Sequence, residues 1–554
     1  MSMESVATVP RQSSSNPSDN DADSPIVDDS AAARPQARGF KFWMSFLSIC
    51  SALGLFALEL TSVSTALPTI VKELHATDFV WIGASYALAS TAFLPMVGGL
   101  SQTFGRKPVL VGSILLFALG SALCGAANSN AMLVAGRTVQ GTGGGAIVNL
   151  SDIVLGDLVP LRDRGFFFGL IGLTWALFCA IGPVVGGGLA SAGAWRWLFY
   201  LNLPICGFCI FVTVFFMELR APRLTFSEKM ARMDWGGNLI VVGSSAACAL
   251  GLTWGGIEYS WGSAQVLVPL CIGLAGLLLF FVYESRWATE PIIPYYLMSD
   301  RTSASGYLQN FFSPVLALAA VYFIPIYYQA CKGSSPLLSG VQTLGLAAIA
   351  PAAIVGGVMV GISQKYRPPL WAGWCLTIIG FGLLTTITAN DPSARTIGFS
   401  VIAGSGIGVI YSVAQFPVQA PHPTSENARS MTFYAFVRAF ASIWGITMGN
   451  AILQNELRRR LPAAYIAQFP NGVALAYAII PELSTLTPSL REEVRLAFAE
   501  SLAILWKALT GVAGVGLLSS LLMREIPLHT ETDKDWDLTA QDEKDVEKIA
   551  LNPI

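Results

Sequence analysis

Along the chain an uninterrupted apolar run of about 20 residues keeps recurring, each run bounded by Gly, Pro or charge, which is the length a helix needs to cross hydrocarbon. Fourteen such runs are found, near 43–67, 79–100, 109–127, 131–156, 166–190, 196–217, 235–254, 265–284, 306–329, 337–361, 370–388, 396–418, 428–452 and 502–523. In a helical run every backbone amide is satisfied inside its own segment, as lipid demands. The pattern therefore predicts an all-α polytopic membrane protein with 14 transmembrane helices.

Composition agrees with this reading. Of the 554 residues 53% are hydrophobic and 12% charged, against roughly a quarter charged in a soluble domain, and the mean hydropathy is +0.57. Basic residues orient the runs. Arg106/Lys107, Arg162/Arg164, Arg220/Arg223/Lys229/Arg232, Arg286/Arg301 and Lys365/Arg367 follow the even-numbered runs, whereas Lys72, Arg196, Lys332 and Arg395 stand singly in the alternate loops. The excess marks the cytoplasmic side and places both termini there.

The stretch "GRTVQGTGGGAIVNL" (136–150) matches the dinucleotide pattern G-x-G-x-x-G/A, but such a site needs a preceding strand and a βαβ unit. Here "NAMLVAGRTVQ" continues a helical apolar run. Gly141 and Gly145 at small-xxx-small spacing are instead expected to let a neighbouring backbone approach closely. No Walker-type phosphate loop appears. With three His, His75, His422 and His529, all outside the runs, and nine Cys mostly within them, no metal site is expected. No nucleophile–base pair is visible either, so an enzyme is not expected, and no cofactor.

The chain also repeats itself. "GLSQTFGRKP" (99–108) and "GISQKYRPP" (361–369) match in order of Gly, apolar, Ser, Gln, aromatic, Arg and Pro, and each ends the second run of a group of six. Parallel repeats of this kind place a substrate path at their interface near the membrane midplane. The expected organisation is a disordered cytoplasmic tail (1–42), an N-terminal six-helix half (43–217), a cytoplasmic loop with two inserted helices (218–284), a C-terminal six-helix half (285–524) with an external loop at 454–501, and an acidic cytoplasmic tail (525–554). In the external loop Ser489 and Glu492 stand at capping-box spacing and predict a short surface helix leading into the last run.

These motifs resemble those of the major facilitator superfamily. Gly98-Gly99-Leu100-Ser101-Gln102-Thr103-Phe104-Gly105-Arg106-Lys107 is similar to its loop 2–3 signature, and Arg137-Thr138-Val139-Gln140-Gly141 with Gly143 to its helix 4 motif. Gly182-Pro183-Val184-Val185-Gly186-Gly187 resembles the motif associated with antiporters, while "ELTSVSTALP" (59–68) and "WRWLFYLNLP" (195–204) resemble the fungal 14-helix drug:proton antiporters. The likeness runs from about 43 to 524. Three positions depart from it: Gln102 replaces the usual Asp, Phe178 a usual Gly, and Glu59 the commoner Asp.

From the residues themselves, Glu59 and Arg137 are expected to form a proton-coupling pair. Glu59 lies nine residues before Pro68 and Arg137 seven after Asn130, so at about 1.5 Å per residue both sit roughly 10–14 Å below the outer surface. Arg keeps its charge, leaving Glu59 as the titrating member. Substrate-path candidates are Asn149, Asp152, Trp175, Gln309, Asn310, Tyr411, Gln415 and Arg438, a set of aromatic and sparse polar groups suited to an amphipathic organic molecule. Gly99, Gln102, Gly105, Arg106, Lys107, Gly182, Pro183, Gly186 and Gly187 are assigned to gating and packing.

The resemblance implies a proton-coupled secondary transporter exporting small amphipathic compounds (drug, toxin or secondary metabolite) by alternating access. It would work as a monomer in the lipid bilayer of a fungal plasma membrane, with protons and a small-molecule substrate as its partners and no nucleic acid. A single charge falling through about 100 mV releases roughly 2.3 kcal/mol, which supports on the order of a fiftyfold gradient of a neutral solute. The alternative is a vacuolar or uptake carrier of the same fold for siderophores or basic amino acids.

Overall fold

The computed structural model describes residues 39–74, 80–217, 219, 225–256, 259–288, 291–468, 479–480, 482–483 and 485–528. The two tails read from the sequence lie largely outside these residues, as do His75, His529 and most of 469–484. From residue 40 onward the chain forms one compact unit, and no strand occurs among the described residues.

Its long helices are α1 (Phe40–Leu74), α2 (Val80–Ala92 and Leu94–Phe104, bent by 46°), α3 (Arg106–Gly125), α4 (Asn130–Leu158), α5 (Leu161–Ser191), α6 (Trp197–Phe216) and α7 (Trp235–Trp254). They continue as α8 (Ala264–Arg286), α9 (Arg301–Lys332), α10 (Leu338–Ser363), α11 (Arg367–Leu384), α12 (Ser393–Gln419), α13 (Asn427–Arg460) and α14 (Pro488–Ser520). Among the described residues 11 helices are long and apolar enough to cross a membrane, or 12 with the bent α2 as one span. The expected count of fourteen spans is thus not reached by length and apolarity. The two remaining segments, α4 and α11, are helical all the same: α4 buries Arg137, Gln140, Asn149, Asp152 and Asp157 inside the protein, and α11 is 18 residues long and opens on Arg-Pro-Pro.

Local chemistry sets the helix ends. Ser129 caps α4 by accepting from the Met132 amide, and Asp300 caps α9 by accepting from Thr302 and Ser303, each satisfying donors that a helix start leaves open. Between α2 and α3 the chain turns at Gly105 with φ 97°, a conformation that favours glycine. At the other end of the chain the expectation of a separate surface helix is corrected: α14 is continuous from Pro488, its cap position is Thr487, and Glu492 pairs with Arg495 at 2.6 Å rather than closing a box with Ser489. Similarly α13 passes residue 452 and runs to Arg460, where Glu456 pairs with both Arg459 and Arg460 and Arg460 reaches Glu500. Ion pairs one turn apart support a helix after it leaves the apolar layer.

Helix packing recurs with an offset of eight. In the first group α1 packs on α5 and α6, α2 on α4, and α3 on α4 and α6; in the second, α9 packs on α13 and α14, α10 on α12, and α11 on α12 and α14. Between the groups α5 meets α10 and α2 meets α13, with α4 also against α13, while α7 and α8 pair with each other and α7 lies on α2 and α13. Small residues set the spacing. A Cβ at Gly141 or Gly145 would run into the backbone carbonyls of Tyr86 and Ser90 on α2, and one at Gly143 into Phe117 on α3. The glycines of 136–150 are therefore where α4 is clasped from two sides by backbone. At the seam between groups, Gly165 of α5 and Gly357 of α10 touch backbone to backbone. Phe178, where the family pattern has a small residue, lays its ring over Gly54 of α1, so the missing side chain has moved to the partner helix.

Candidate functional site

Glu59 on α1 and Arg137 on α4 meet as the sequence predicts. Arg137 Nη1 donates to Glu59 Oε1 at 2.5 Å and to Gln140 Oε1 at 2.7 Å, its Nε donates to the Ile82 carbonyl at 3.0 Å, and its guanidinium lies 4.2 Å from the Tyr86 ring centre. The other carboxylate oxygen of Glu59 accepts from Asn202 Nδ2 at 2.7 Å. Ser121 closes the circle, accepting from Gln140 and Asn202. Glu59 is 0% and Arg137 2% exposed. Desolvating two charges costs several kcal/mol each unless every lone pair and proton is answered, and here Gln140, Asn202, Ser121 and Ile82 answer them. Pro68, read from the sequence as the outer end of the first span, lies inside α1, which continues to Leu74.

Of these supporting groups Gln140 carried a sequence signal, three residues and nearly one helical turn from Arg137. Asn202 lies in a recognisable motif, but its target 143 residues away does not show in spacing.

A second ion pair crosses between the two helix groups. Arg438 Nη2 on α13 donates to Asp152 Oδ2 on α4 at 2.7 Å, and Nη1 donates to the Tyr411 hydroxyl of α12 at 3.1 Å. The guanidinium carbon sits 5.2 Å from the Tyr411 ring centre and 5.6 Å from that of Tyr434. Asp152, Arg438 and Tyr411 were each singled out from the sequence as substrate-path residues; the structure binds them into one cluster.

Toward the end marked by the loop arginines lies a third cluster. Arg106 Nε donates to Asp157 Oδ2 at 3.0 Å and Nη1 to the Ser101 carbonyl, and Asn427 of α13 donates to Asp157 Oδ1 at 3.1 Å. Arg164 donates to Asn427 Oδ1, to Gln419 and to the carbonyls of Gly156 and Val159 at the end of α4. Lys107 donates to the Val214 carbonyl near the end of α6. These are cations on helix C-terminal carbonyls, where the partial charge is negative. Gln102 is half-buried beside them, Gly99 faces Met233, and Gly98 is held against Thr432 of α13.

The remaining candidates sit elsewhere. Gln309 accepts from Trp374 Nε1 at 3.0 Å and donates to Ser305, and Asn310 donates to the Tyr434 carbonyl at 2.6 Å. Asn149 donates to Leu94 O and Thr432 Oγ1, and Gln415 to the Ser412 carbonyl. All four are buried and bonded within the helix packing. Trp175 stacks at 5.5 Å on Phe56, which in turn lies 5.4 Å from Tyr86 beside the Glu59 pair. Gly182 is held against Thr61 of α1, Gly186 is buried, and a Cβ at Gly187 would meet open space; the side chain of Pro183 lies outside the described residues.

Comparison with known proteins places this architecture. The model of the Major Facilitator Superfamily matches residues 44–446. The Efflux pump FUS6 of Gibberella fujikuroi is 36% identical over 91% of this chain and 93% of its own length. The MFS-type efflux pump LUC4 of Fusarium sp. is 36% identical over 94% of this chain and 93% of its own. Among solved structures, the human organic anion transporter MFSD10 superposes with a TM-score of 0.55 over 87% of this chain and 100% of that chain, at 14% identity, a likeness of fold. The chain belongs to the major facilitator superfamily. It is a multi-pass membrane protein of a transporter family, not an enzyme.

Proposed function

We propose that this protein is a proton-coupled secondary transporter that exports small amphipathic organic compounds, of the drug, toxin or secondary-metabolite kind, by alternating access across a fungal plasma membrane. The two groups α1–α6 and α9–α14 act as the moving halves, with the boundaries read from the sequence (43–217 and 285–524), and α7–α8 as an insertion between them. Export is favoured over uptake by relatives whose names are efflux pumps at 36% identity over nearly the whole chain. A basic substrate would favour more than one unpaired acid along its path, and Asp152 is paired with Arg438.

The observation that carries proton coupling is the buried Glu59–Arg137 pair, since Arg cannot shed its charge and the carboxylate is left as the exchangeable site. Both residues belong to the first group of helices. Separating them therefore requires a shift of α1 against α4 within that group, not the rocking of one half on the other. Gln140 and Asn202 hold either protonation state, because Asn and Gln each carry a donor and an acceptor. The test is flux in reconstituted vesicles: an imposed inward proton gradient accelerates efflux of an accumulated metabolite in the parent and leaves Glu59→Gln at its gradient-free rate. Gradient-driven efflux at the parental rate in that variant rejects the role of Glu59.

A further inference from the structure

The Asp152–Arg438 pair differs from the Glu59–Arg137 pair in one respect that bears on what is carried. Its two members come from opposite groups, α4 and α13, so the separation of the groups during alternating access breaks it. The consequences for the two residues are unequal. Asp152 has its ion pair only through the other group, and once apart it can be hydrated or take a proton. Arg438 can be hydrated but cannot shed its charge, because a guanidinium stays charged at any pH the protein meets. It also keeps its place. Tyr411 and Tyr434, which flank the guanidinium at 5.2 and 5.6 Å, stand on α12 and α13 of its own group, and Tyr411 Oη remains 3.1 Å from Nη1. The Arg438 side chain is the more exposed partner, 13% against 5% for that of Asp152. Opening thus leaves a held, permanent cation with the donors facing Asp152 unanswered, and the geometry of such a fork matches a carboxylate.

From this we infer that the substrate is an organic anion, and that its carboxylate takes the place of Asp152 on Arg438 when the helix groups are apart. The inference rests on the transport reading above and adds the chemical class of the cargo. Substrate and Asp152 compete for one cation, so Asp152 acts as a built-in surrogate ligand that closes the site when no cargo is present. Cations and neutral compounds gain nothing from this exchange. The other acid nearby on α4, Asp157, is held by Arg106 and Asn427 and does not enter the competition.

The test is calorimetric titration of the purified full-length chain with 2-naphthoate and with its neutral isostere 2-naphthamide. The parent should bind naphthoate and prefer it by about tenfold or more, a comparison that needs no variant. Asp152→Asn removes the competitor and should tighten naphthoate by roughly tenfold, as expected when a blocked state is depopulated, and naphthamide by clearly less. Arg438→Gln should abolish the preference. A parent that binds both alike or neither, or an Asp152→Asn variant in which naphthoate weakens, overturns the inference. Proton-driven efflux that persists without any anion preference sinks the inference and leaves the transport reading standing. Anion competition without proton-driven flux does the reverse.

Discussion

Arg137 holds Glu59 at 2.5 Å inside one group of helices, whereas another cross-helix pair, Arg438 with Asp152, spans two. The difference separates what local motion does from what rocking does. Replacing Glu59 by Ala removes the carboxylate and leaves Arg137 buried without a counter-charge, a loss expected to cost about 3–5 kcal/mol. Glu59→Gln keeps an oxygen for Arg137 and should cost less. The expected result is that Glu59→Ala fails to accumulate while Glu59→Gln folds, read by size-exclusion yield and melting temperature. Equal yields for the two would show that the pair contributes little to folding.

A second prediction concerns the clasp on α4. Gly145→Val forces a side chain into the Ser90 carbonyl of α2, where neither backbone has room, and overpacking of this kind costs about 1–3 kcal/mol or more. Gly112→Ala on α3 meets nothing within 4 Å and should be neutral or stabilising by up to about 1 kcal/mol, since glycine in a helix interior is unfavourable. Melting curves of the two variants should move in opposite directions or by clearly unequal amounts.

Glu73, next to the end of α1, gives a pH dependence with a definite sign. Glu73 accepts from Trp195 Nε1 at 2.6 Å and pairs with Arg196. These hydrogen bonds, the Arg196 one foremost, hold its carboxyl below the ordinary value of 4.5. A depressed carboxylate stabilises the fold above its unfolded value and loses that stabilisation as the pH falls through the folded one. The melting-temperature gap between parent and Glu73→Gln should therefore stay constant from about pH 5 upward and shrink below about pH 4.5. Glu73 is exposed, so the gap itself should be small.

At the Arg106–Asp157 cluster Asn427 joins the groups by donating to Asp157 and accepting from Arg164. Asn427→Ala should loosen this end and raise labelling of cysteines placed on the cytoplasmic side. Gln102→Asp restores the acid of the family pattern beside the same cluster and should shift labelling the opposite way, with Gln102→Ala near the parent. Identical labelling in parent and Gln102→Asp would mean that this residue does not bias the gate.

Apolar run length carried most of the fold, because a helix in lipid must satisfy its own backbone. It failed to count spans where helices hide charge: α4 is helical throughout yet too polar to qualify as a span, and α14 extends over a stretch whose Ser489 and Glu492 read as a separate start. Glu59 and Arg137 were legible because a buried charge needs a partner at its own depth. Asp152 and Arg438 were legible singly but not as a pair, since 286 residues and a seam between helix groups separate them. Gln309 was read as facing substrate; its amide oxygen accepts from Trp374, a contact between helices that no local pattern records.

Gly165 and Gly357 meet with no side chain between them. Interdigitated side chains resist sliding, since each must leave a rotamer well before its neighbour can pass. Two bare backbones have no such teeth. At this point the α5–α10 crossing offers less resistance to one half turning against the other, and Gly357→Ala, whose Cβ would run into the Gly165 backbone, should both slow the exchange between labelled forms and lower the melting temperature.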